Sequence, residues 1–581
     1  MKRAIQAAAI IIAAFAAAIT IGGCRRNNDD DRFAGFFFWV TSGVDTTINP
    51  HDSAALANSE IVDLIVLPLY GWTVCRESGR ESLVPRVALG EPVSEDGVHW
   101  NIRINPDARW SNGTFVTAHD FIFSWQMGLS PLLSYTAAAQ IYGNRVEVLG
   151  AEAYFTQRTY GDFPWESVGM RAVDDHTIEI ITARLYTPFD VMLHFSHRAT
   201  APVYRPLYEA GMNEARTSTL YGTSLDYFMG NGPFILTSWT RGSERIFERN
   251  PYHLFPEEIH INGIHGRVAQ DEITRIELFM SGQSDFIELG AAGLLMFEED
   301  PRLVSFERQI IRSIEANRSN PNHPILADPV FRAALYYATD RAQIASLINA
   351  APAPFFLSTL GVSFADGTTF REMPEANEWI PKNYGFDPDL ARDLMSQAFE
   401  VYNITSLSLT LAYGQDIPGL RAASELIQHQ WEQVFGGDMF SLTLRPMPHS
   451  AVLDLMRTSR NAPTTGWDLA WSGIFPRAEF FSPHEKFRPY LSTATGRFTN
   501  YTNNQLDALF PLFSEDSHRL DERARFELTV ELEHYFILED VTLIPVFQER
   551  AFVLWNSRIS LPMGRVSPVI GFGWMFGEIE E

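Results

Sequence analysis

Residues 96–121 read Asp-Gly-Val-His-Trp-Asn-Ile-Arg-Ile-Asn-Pro-Asp-Ala-Arg-Trp-Ser-Asn-Gly-Thr-Phe-Val-Thr-Ala-His-Asp-Phe. From Val98 to Ile104 apolar and polar residues alternate, the pattern of a half-buried strand. Asn105-Pro106-Asp107 and Ser111-Asn112-Gly113 are turn chemistry. Thr117 then stands where a helix N-cap is expected, with Asp120 three residues later as in a capping box. Phe121, Phe123 and Trp125 supply that helix with apolar positions. Strand, turn and helix in so short a span point to a mixed α and β fold.

The rest of the chain agrees. Phe33 opens an apolar run, FAGFFFWV, where ordered structure is expected to begin. Thr177–Ile181 reads as another strand. Helices are expected over Pro329–Ile348, over Asp387–Phe399 with Pro388 in its first turn, and over Leu420–Val434. Strand-like runs at Ser406–Ala412 and Phe440–Leu444 bracket the last of these in β-α-β order. No internal repeat and no long linker divides the chain.

The first residues read as an address. Lys2 and Arg3 precede an almost wholly apolar run from Ala4 to Ile21, as in a secretory signal peptide. Ile21-Gly22-Gly23-Cys24 resembles a lipobox, the bacterial signal in which the cysteine is acylated and becomes the new N-terminus. The run is also of borderline length for an uncleaved membrane anchor; either way the body lies outside the cytoplasm. Arg25–Arg32 has no apolar residue and is expected to be a flexible tether.

The body is too long for one ordinary core and should divide into two or three domains. The formal charge is −26 and becomes −28 when a leader carrying Lys2 and Arg3 is removed. So acidic a surface disfavours nucleic acid as a partner. The two cysteines are Cys24 and Cys75, so acylation of Cys24 leaves no internal disulfide; Cys75 is expected to be a small buried hydrophobe. The 15 histidines lack ligand spacing, and neither a metal nor another cofactor is expected.

Residues 96–121 resemble the signature of the bacterial extracellular solute-binding proteins of family 5, the oligopeptide- and dipeptide-binding lipoproteins of ABC importers. Phe115 stands where that pattern usually has proline. Further landmarks follow in family order: Thr47-Ile48-Asn49-Pro50; Gly169 to Thr177; Asn231-Gly232-Pro233-Phe234 through Trp239; Glu248-Arg249-Asn250-Pro251-Tyr252; and Asp328 to Arg341. The resemblance covers nearly the whole chain after Cys24. Most of these residues are expected to be structural: Trp110 and Trp125 as packing, Asp340-Arg341 as a buried or helix-edge ion pair.

The resemblance implies an α/β, two-lobed periplasmic-binding-protein fold of type II with an additional inserted domain. Carried onto this chain, lobe I would combine 33–59, 170–272 and 510–581, the inserted domain would be 60–169, and lobe II 273–509. It implies a lipid-anchored receptor, expected to be monomeric. Such a receptor closes like a hinge on an oligopeptide or other small solute and presents it to an ABC permease in the membrane. No bond is made or broken.

The site expectations rest on two segments. Ser53, Ala54 and Leu56 would supply lobe I backbone to an extended ligand, as a strand adding to an edge. In peptide-binding relatives a lobe II segment carries an aspartate that pairs with the ligand's α-ammonium. Here that segment is Trp467 to Glu479, and Arg477 falls where the aspartate should be. A guanidinium there would repel an ammonium and attract a carboxylate, a phosphate or a hydroxyl-rich surface. Glu479 could substitute if the loop shifts, and Arg477 could equally pair with Glu479 at the surface. Asp468 and Gly473 hold their family places, while Trp471 and Phe475 flank Gly473 and could either stack on a ligand or pack in the core.

Other readings carry less. The chain has no H-E-x-x-H, G-x-S-x-G or glycine-rich phosphate loop in a suitable context, and His484-Glu485 lacks a second histidine, so an enzyme is not expected. A peptide-sensing or chaperone-like lipoprotein uncoupled from transport stays open, as does an oligosaccharide or anionic solute on the same scaffold.

Overall fold

The computed structural model describes residues 32–43, 46–52, 59–75, 81–143, 145–157, 159–458, 466–473, 482–493, 502–561 and 573–580. Cys24 and residues 1–23, where a signal peptide is expected, lie outside them. No helix among the described residues is long and apolar enough to cross a membrane.

Strand β1 (Phe36–Thr41) is buried along almost its whole length, as its apolar run requires. β2 (Tyr70–Val74) and β3 (Glu81–Pro85) pair antiparallel. β4 (His99–Arg103), β5 (Met170–Asp174) and β6 (Thr177–Ile181) form a three-stranded sheet with β6 in the middle. β4 alternates exposed and buried residues, as read from the sequence. Next come β7 (Phe234–Thr240), β8 (Glu244–Arg249), β9 (Gly263–Val268), β10 (Phe286–Leu289) and the long β11 (Leu303–Ala316). After the short β12 (Ala351–Pro352) follow β13 (Leu407–Gly414), β14 (Phe440–Met447) and β15 (Leu469–Ser472). β16 (Leu543–Trp555) is nearly as long as β11. β17 (Ile559–Ser560) and β18 (Glu578–Ile579) pair with each other.

Among the described residues eleven strands form one sheet, ten of them in the order β14-β13-β15-β11-β16-β10-β1-β9-β8-β7 and the eleventh, β12, paired with β16 off that path. β11 and β16 run antiparallel through its centre. The first residues of β11, Leu303–Glu307, pair with Arg550–Leu554, and the end of β16 pairs with β10. The last residues of β11, Ser313–Ala316, pair with β15. Each long strand therefore belongs to both halves of the sheet, and the ladder slips in register between Glu307 and Ile311 and again between Arg312 and Ser313. Irregular pairing between two well-bonded halves is where a sheet bends most easily.

Three apolar clusters divide the mass. One joins Phe37, Trp39, Ile61, Val62, Phe234, Phe247 and Ile264 around the β1 half. A second gathers Leu69, Trp100, Trp110, Phe121, Trp125, Ile178, Ile180 and Phe195 beside it. The third and largest holds Ile314, Phe331, Leu409, Trp431, Trp471, Phe510, Phe526 and Phe547 around the β15 half. This is the α/β two-lobed architecture with an added unit. The packing divides the chain differently from the sequence-derived boundaries. The helix Ser59–Ile65 packs in the lobe I cluster rather than the inserted unit, while β5, β6 and the chain to Ala199 pack in the inserted one. β10 and the start of β11 pair on the lobe I side, and residues 506–547 pack in lobe II, so the chain crosses between lobes near 307–312 and 548–551.

Local expectations fare unevenly. The helix at Thr117 runs Ala118–Gly128, and the Thr117 amide donates to the Asp120 carboxylate at 2.8 Å. Trp110 and Trp125 are buried, and the Trp125 indole N–H donates to the Thr200 carbonyl at 2.8 Å. The single helix expected over Pro329–Ile348 is two, Pro329–Tyr337 and Arg341–Leu347. The break arises because Asp340 caps the second, its carboxylate accepting from the Gln343 amide. That also corrects the ion-pair reading of Asp340-Arg341: the buried Arg341 guanidinium donates to the carbonyls of Pro545 (2.7 Å), Tyr384 (2.9 Å) and Tyr336 (3.1 Å). Cys75 is exposed at the end of β2, not buried.

Candidate functional site

β13, β14 and β15 are parallel, so their carboxyl ends, Gly414, Met447 and Ser472-Gly473, lie along one edge of lobe II. β1, β9 and β10 are parallel in lobe I and end at Thr41, Val268 and Leu289. Ligands of open α/β sheets bind outside the carboxyl ends of the strands. Both edges adjoin the segment where β11 and β16 cross between lobes.

On the lobe II edge four charged or titratable residues gather. Arg312 of β11 donates through Nε to Glu549 Oε1 of β16 at 2.6 Å, with side chains 7% and 22% exposed. His449 opens the helix His449–Thr458, and its amide donates to Asp416 at 2.7 Å. Partial burial, reinforced by the neighbouring Arg312 guanidinium, lowers the His449 pKa and keeps the ring neutral at neutral pH. Two glycines let this cluster form. A Cβ on Gly414 would lie 2.9 Å from the His449 Cβ, and one on Gly473 would lie 2.6 Å from Arg312 Nη1.

On the lobe I side, the segment entering the expected contact region is held from behind. The Ile48 amide donates to Gly222 O at 2.9 Å, and Asn49 Nδ2 donates to the Tyr135 hydroxyl at 3.0 Å. The Ser124 hydroxyl donates to Ala201 O at 2.7 Å, so it accepts from Nε2–H of the buried His51 at 3.1 Å. That fixes the neutral tautomer, and burial depresses the His51 pKa to about 3.

The sequence-derived site is only partly visible. Ser53, Ala54, Leu56, Phe475, Arg477 and Glu479 lie outside the described residues, as does Cys24. Of the two readings of Trp471, stacking on a ligand is corrected: the indole is fully buried, donates to Ser424 Oγ at 2.8 Å and packs on Phe547. Gly473 is half-buried at the carboxyl end of β15. Asp468 is structural, accepting from the Thr410 amide (2.8 Å), the Thr410 hydroxyl (2.9 Å) and Asn320 Nδ2 (2.8 Å). Sequence reasoning missed Arg312 and Glu549; β11 carries four charged residues and β16 two, so no single charge stood out in the sequence. His449 left no mark either. Among the described residues no cluster of His, Cys, Asp and Glu could hold a metal ion.

The family model "Bacterial extracellular solute-binding proteins, family 5 Middle" matches residues 82–497. The chain belongs to this family. Its members are receptors that perform no catalysis, and they act outside the cytoplasm. Among curated relatives, a dipeptide-binding protein of Lactococcus lactis subsp. cremoris is 24% identical over 509 residues, 83% of this chain and 86% of the relative. The Bacillus subtilis dipeptide-binding protein DppE is 24% identical over 483 residues, 82% of this chain and 81% of the relative. Among solved structures, the ABC transporter substrate-binding protein CtaP of Listeria monocytogenes superposes with a TM-score of 0.69 at 19% identity, covering 94% of this chain and 99% of that one. OppA of the same organism, bound to peptide, gives 0.64 at 18% identity, covering 94% and 99%. These superpositions establish the shared fold of this family 5 chain.

Proposed function

We propose that this family 5 chain is a lipid-anchored receptor that captures oligopeptides between its lobes and delivers them to an ABC permease. The observation that carries the reading is the pair β11 and β16, which belong to both lobes, slip in register between them and adjoin the carboxyl ends of both sets of parallel strands. A sheet bending there would bring the two edges together over a ligand, and differential binding to the closed form would set the equilibrium. The names of the relatives favour peptides: two are called dipeptide-binding, and one superposed structure holds a peptide. Lobe I would offer backbone at Ser53, Ala54 and Leu56; lobe II would offer Gly473, Phe475, Arg477 and Glu479. Acylation of Cys24 would tether the receptor at the outer face of the membrane.

Mass spectrometry of whatever leaves the purified, denatured protein tests the ligand class. A set of short peptides supports the reading; a single carbohydrate or metabolite refutes the peptide assignment. Labelling with radioactive palmitate, compared with a Cys24→Ala variant, tests the anchor. Label retained by the variant refutes acylation at Cys24.

A further inference from the structure

The inserted unit is fastened to lobe I. Arg198 donates through Nε and Nη2 to Asp63 of the lobe I helix, each at 2.7 Å, and Arg86 donates to Glu258 at 2.8 Å. Asn231 of lobe I accepts from the Leu67 amide at 2.8 Å and donates to its carbonyl at 2.9 Å. The two units therefore move as one body. Between the inserted unit and lobe II the chain passes through lobe I, so contacts between those two units must part when the lobes open.

Such contacts exist along one seam. Arg145 of the inserted unit is fixed by the buried Asp190, which accepts from its Nε at 2.9 Å and its Nη2 at 2.8 Å and also caps the helix Pro188–His194. The remaining Nη1 donates to Ser482 Oγ of lobe II. Burial, reinforced by the Arg145 charge and opposed by Asp190, pushes the pKa of Arg525 in lobe II down to about 10. Beside this contact Tyr186 is pinned in the inserted unit, its hydroxyl accepting from the Glu147 amide at 3.0 Å. The guanidinium of Arg519, from lobe II, lies over its ring, 4.8 Å from the centroid. Arg519 is 11% exposed; its Nη2 donates to Asp516, and among the described residues its Nε and Nη1 find no hydrogen-bond partner. The seam is thus balanced. The Arg145–Ser482 hydrogen bond and the ring favour contact, while two like charges and donors that water would satisfy favour parting.

We infer that this seam is a latch that closes the two-lobed body part of the time with no solute bound. The inference rests on the hinge reading above and adds a pre-set equilibrium to it. Arg145 and Tyr186 are held in place by their own unit, so closing orders little that is not already ordered. A solute that binds the closed form best gains apparent affinity in proportion to the fraction already closed.

The test needs no ligand. The intact chain in detergent, carrying spin labels at the exposed Glu95 and Gln397 with Cys75→Ser, is freed of solute, as mass spectrometry confirms, and its distance distribution is measured. Wild type should show a short population beside a long one. Ser482→Ala should lower the ratio of short to long about 5- to 50-fold, because Nη1 is left without its acceptor on closing. Tyr186→Leu should lower it about 3- to 10-fold, whereas Tyr186→Phe, which keeps the ring face, should hold the wild-type ratio. A wholly long wild-type population overturns the latch and leaves the hinged receptor standing, and it decides even where a variant fails to fold. Equal ratios in wild type, Ser482→Ala and Tyr186→Leu overturn it as well. One distance in all of them, unmoved by a peptide shown to bind, refutes the hinge reading and this inference with it.

Discussion

Replacing Trp471 by phenylalanine separates a core residue from a ligand platform. The indole N–H donates to Ser424 Oγ at 2.8 Å, and that hydroxyl in turn donates to Leu420 O at 2.7 Å. Losing the donor costs about 1 kcal/mol. The smaller ring leaves about 40 Å³ unfilled, which at ~24 cal/mol per Å³ is about 1 kcal/mol more. Partial collapse or an added transfer cost spreads the total over about 2–3 kcal/mol, roughly 30- to 150-fold in an opening equilibrium. Because a chain of several units need not unfold in one step, the assay is native-state amide hydrogen exchange, read strand by strand. Protection of Leu407–Gly414 and Leu469–Ser472 should fall by that factor. Peptide affinity in the folded variant should stay within about threefold. Unchanged protection together with an altered ligand preference would refute the core assignment.

Three further outcomes follow from the packing. Gly222 has φ +76°, and a Cβ there would lie 2.4 Å from the Asn49 backbone nitrogen; Gly222→Ala should therefore displace residues 47–50 and weaken ligand binding while amide exchange in lobe II stays unchanged. Wild-type exchange in lobe II together with wild-type affinity would contradict that path. Asp285 is fully buried and accepts from the Phe38 amide at 2.7 Å and from Arg558 Nε at 2.7 Å, so Asp285→Ala should destabilise lobe I by about 3–5 kcal/mol; a thermal midpoint within experimental error of wild type would contradict it. His194 is buried with its pKa lowered from 6.5 to about 4, its Nδ1 accepting from Val146 N and its Nε2 facing Ile141 O. The unfolded chain takes up that proton near pH 6.5 while the folded chain does not until about 4, so stability is lost as pH falls through this window, by up to about 1.4 kcal/mol per unit. His194→Gln should flatten the dependence of the thermal midpoint between pH 6.5 and 4, and an unchanged slope would refute the assignment.

The fold was legible where neighbours in sequence decide structure. Alternation gave β4 and β6, and the run at Phe36 gave a buried strand. The β-α-β order at 406–444 became a parallel pair, because a helix crossover permits little else. Long-range packing was not legible. Residues 506–547 look no different from a lobe I return, yet Phe510, Phe526 and Phe536 fill the lobe II cluster. Asp340 resembles an ion-pair partner of Arg341 until the backbone shows a second helix starting there. Trp471 beside Gly473 suited a core strand and a stacking platform equally, and only burial separated them. Arg312 and Glu549 lie 237 positions apart, and pairing of β11 with β16 was needed to bring them together.

The central claim is that two lobes close about β11 and β16 on a bound peptide. Spin labels placed by cysteine substitution at the exposed residues Glu95 and Gln397, with Cys75→Ser, would report the separation of the inserted unit and lobe II by pulsed electron–electron resonance. The account predicts that a peptide shown by calorimetry to bind shifts the distance distribution to one shorter, narrower population. A distribution unchanged under saturating, verified binding would contradict hinge closure.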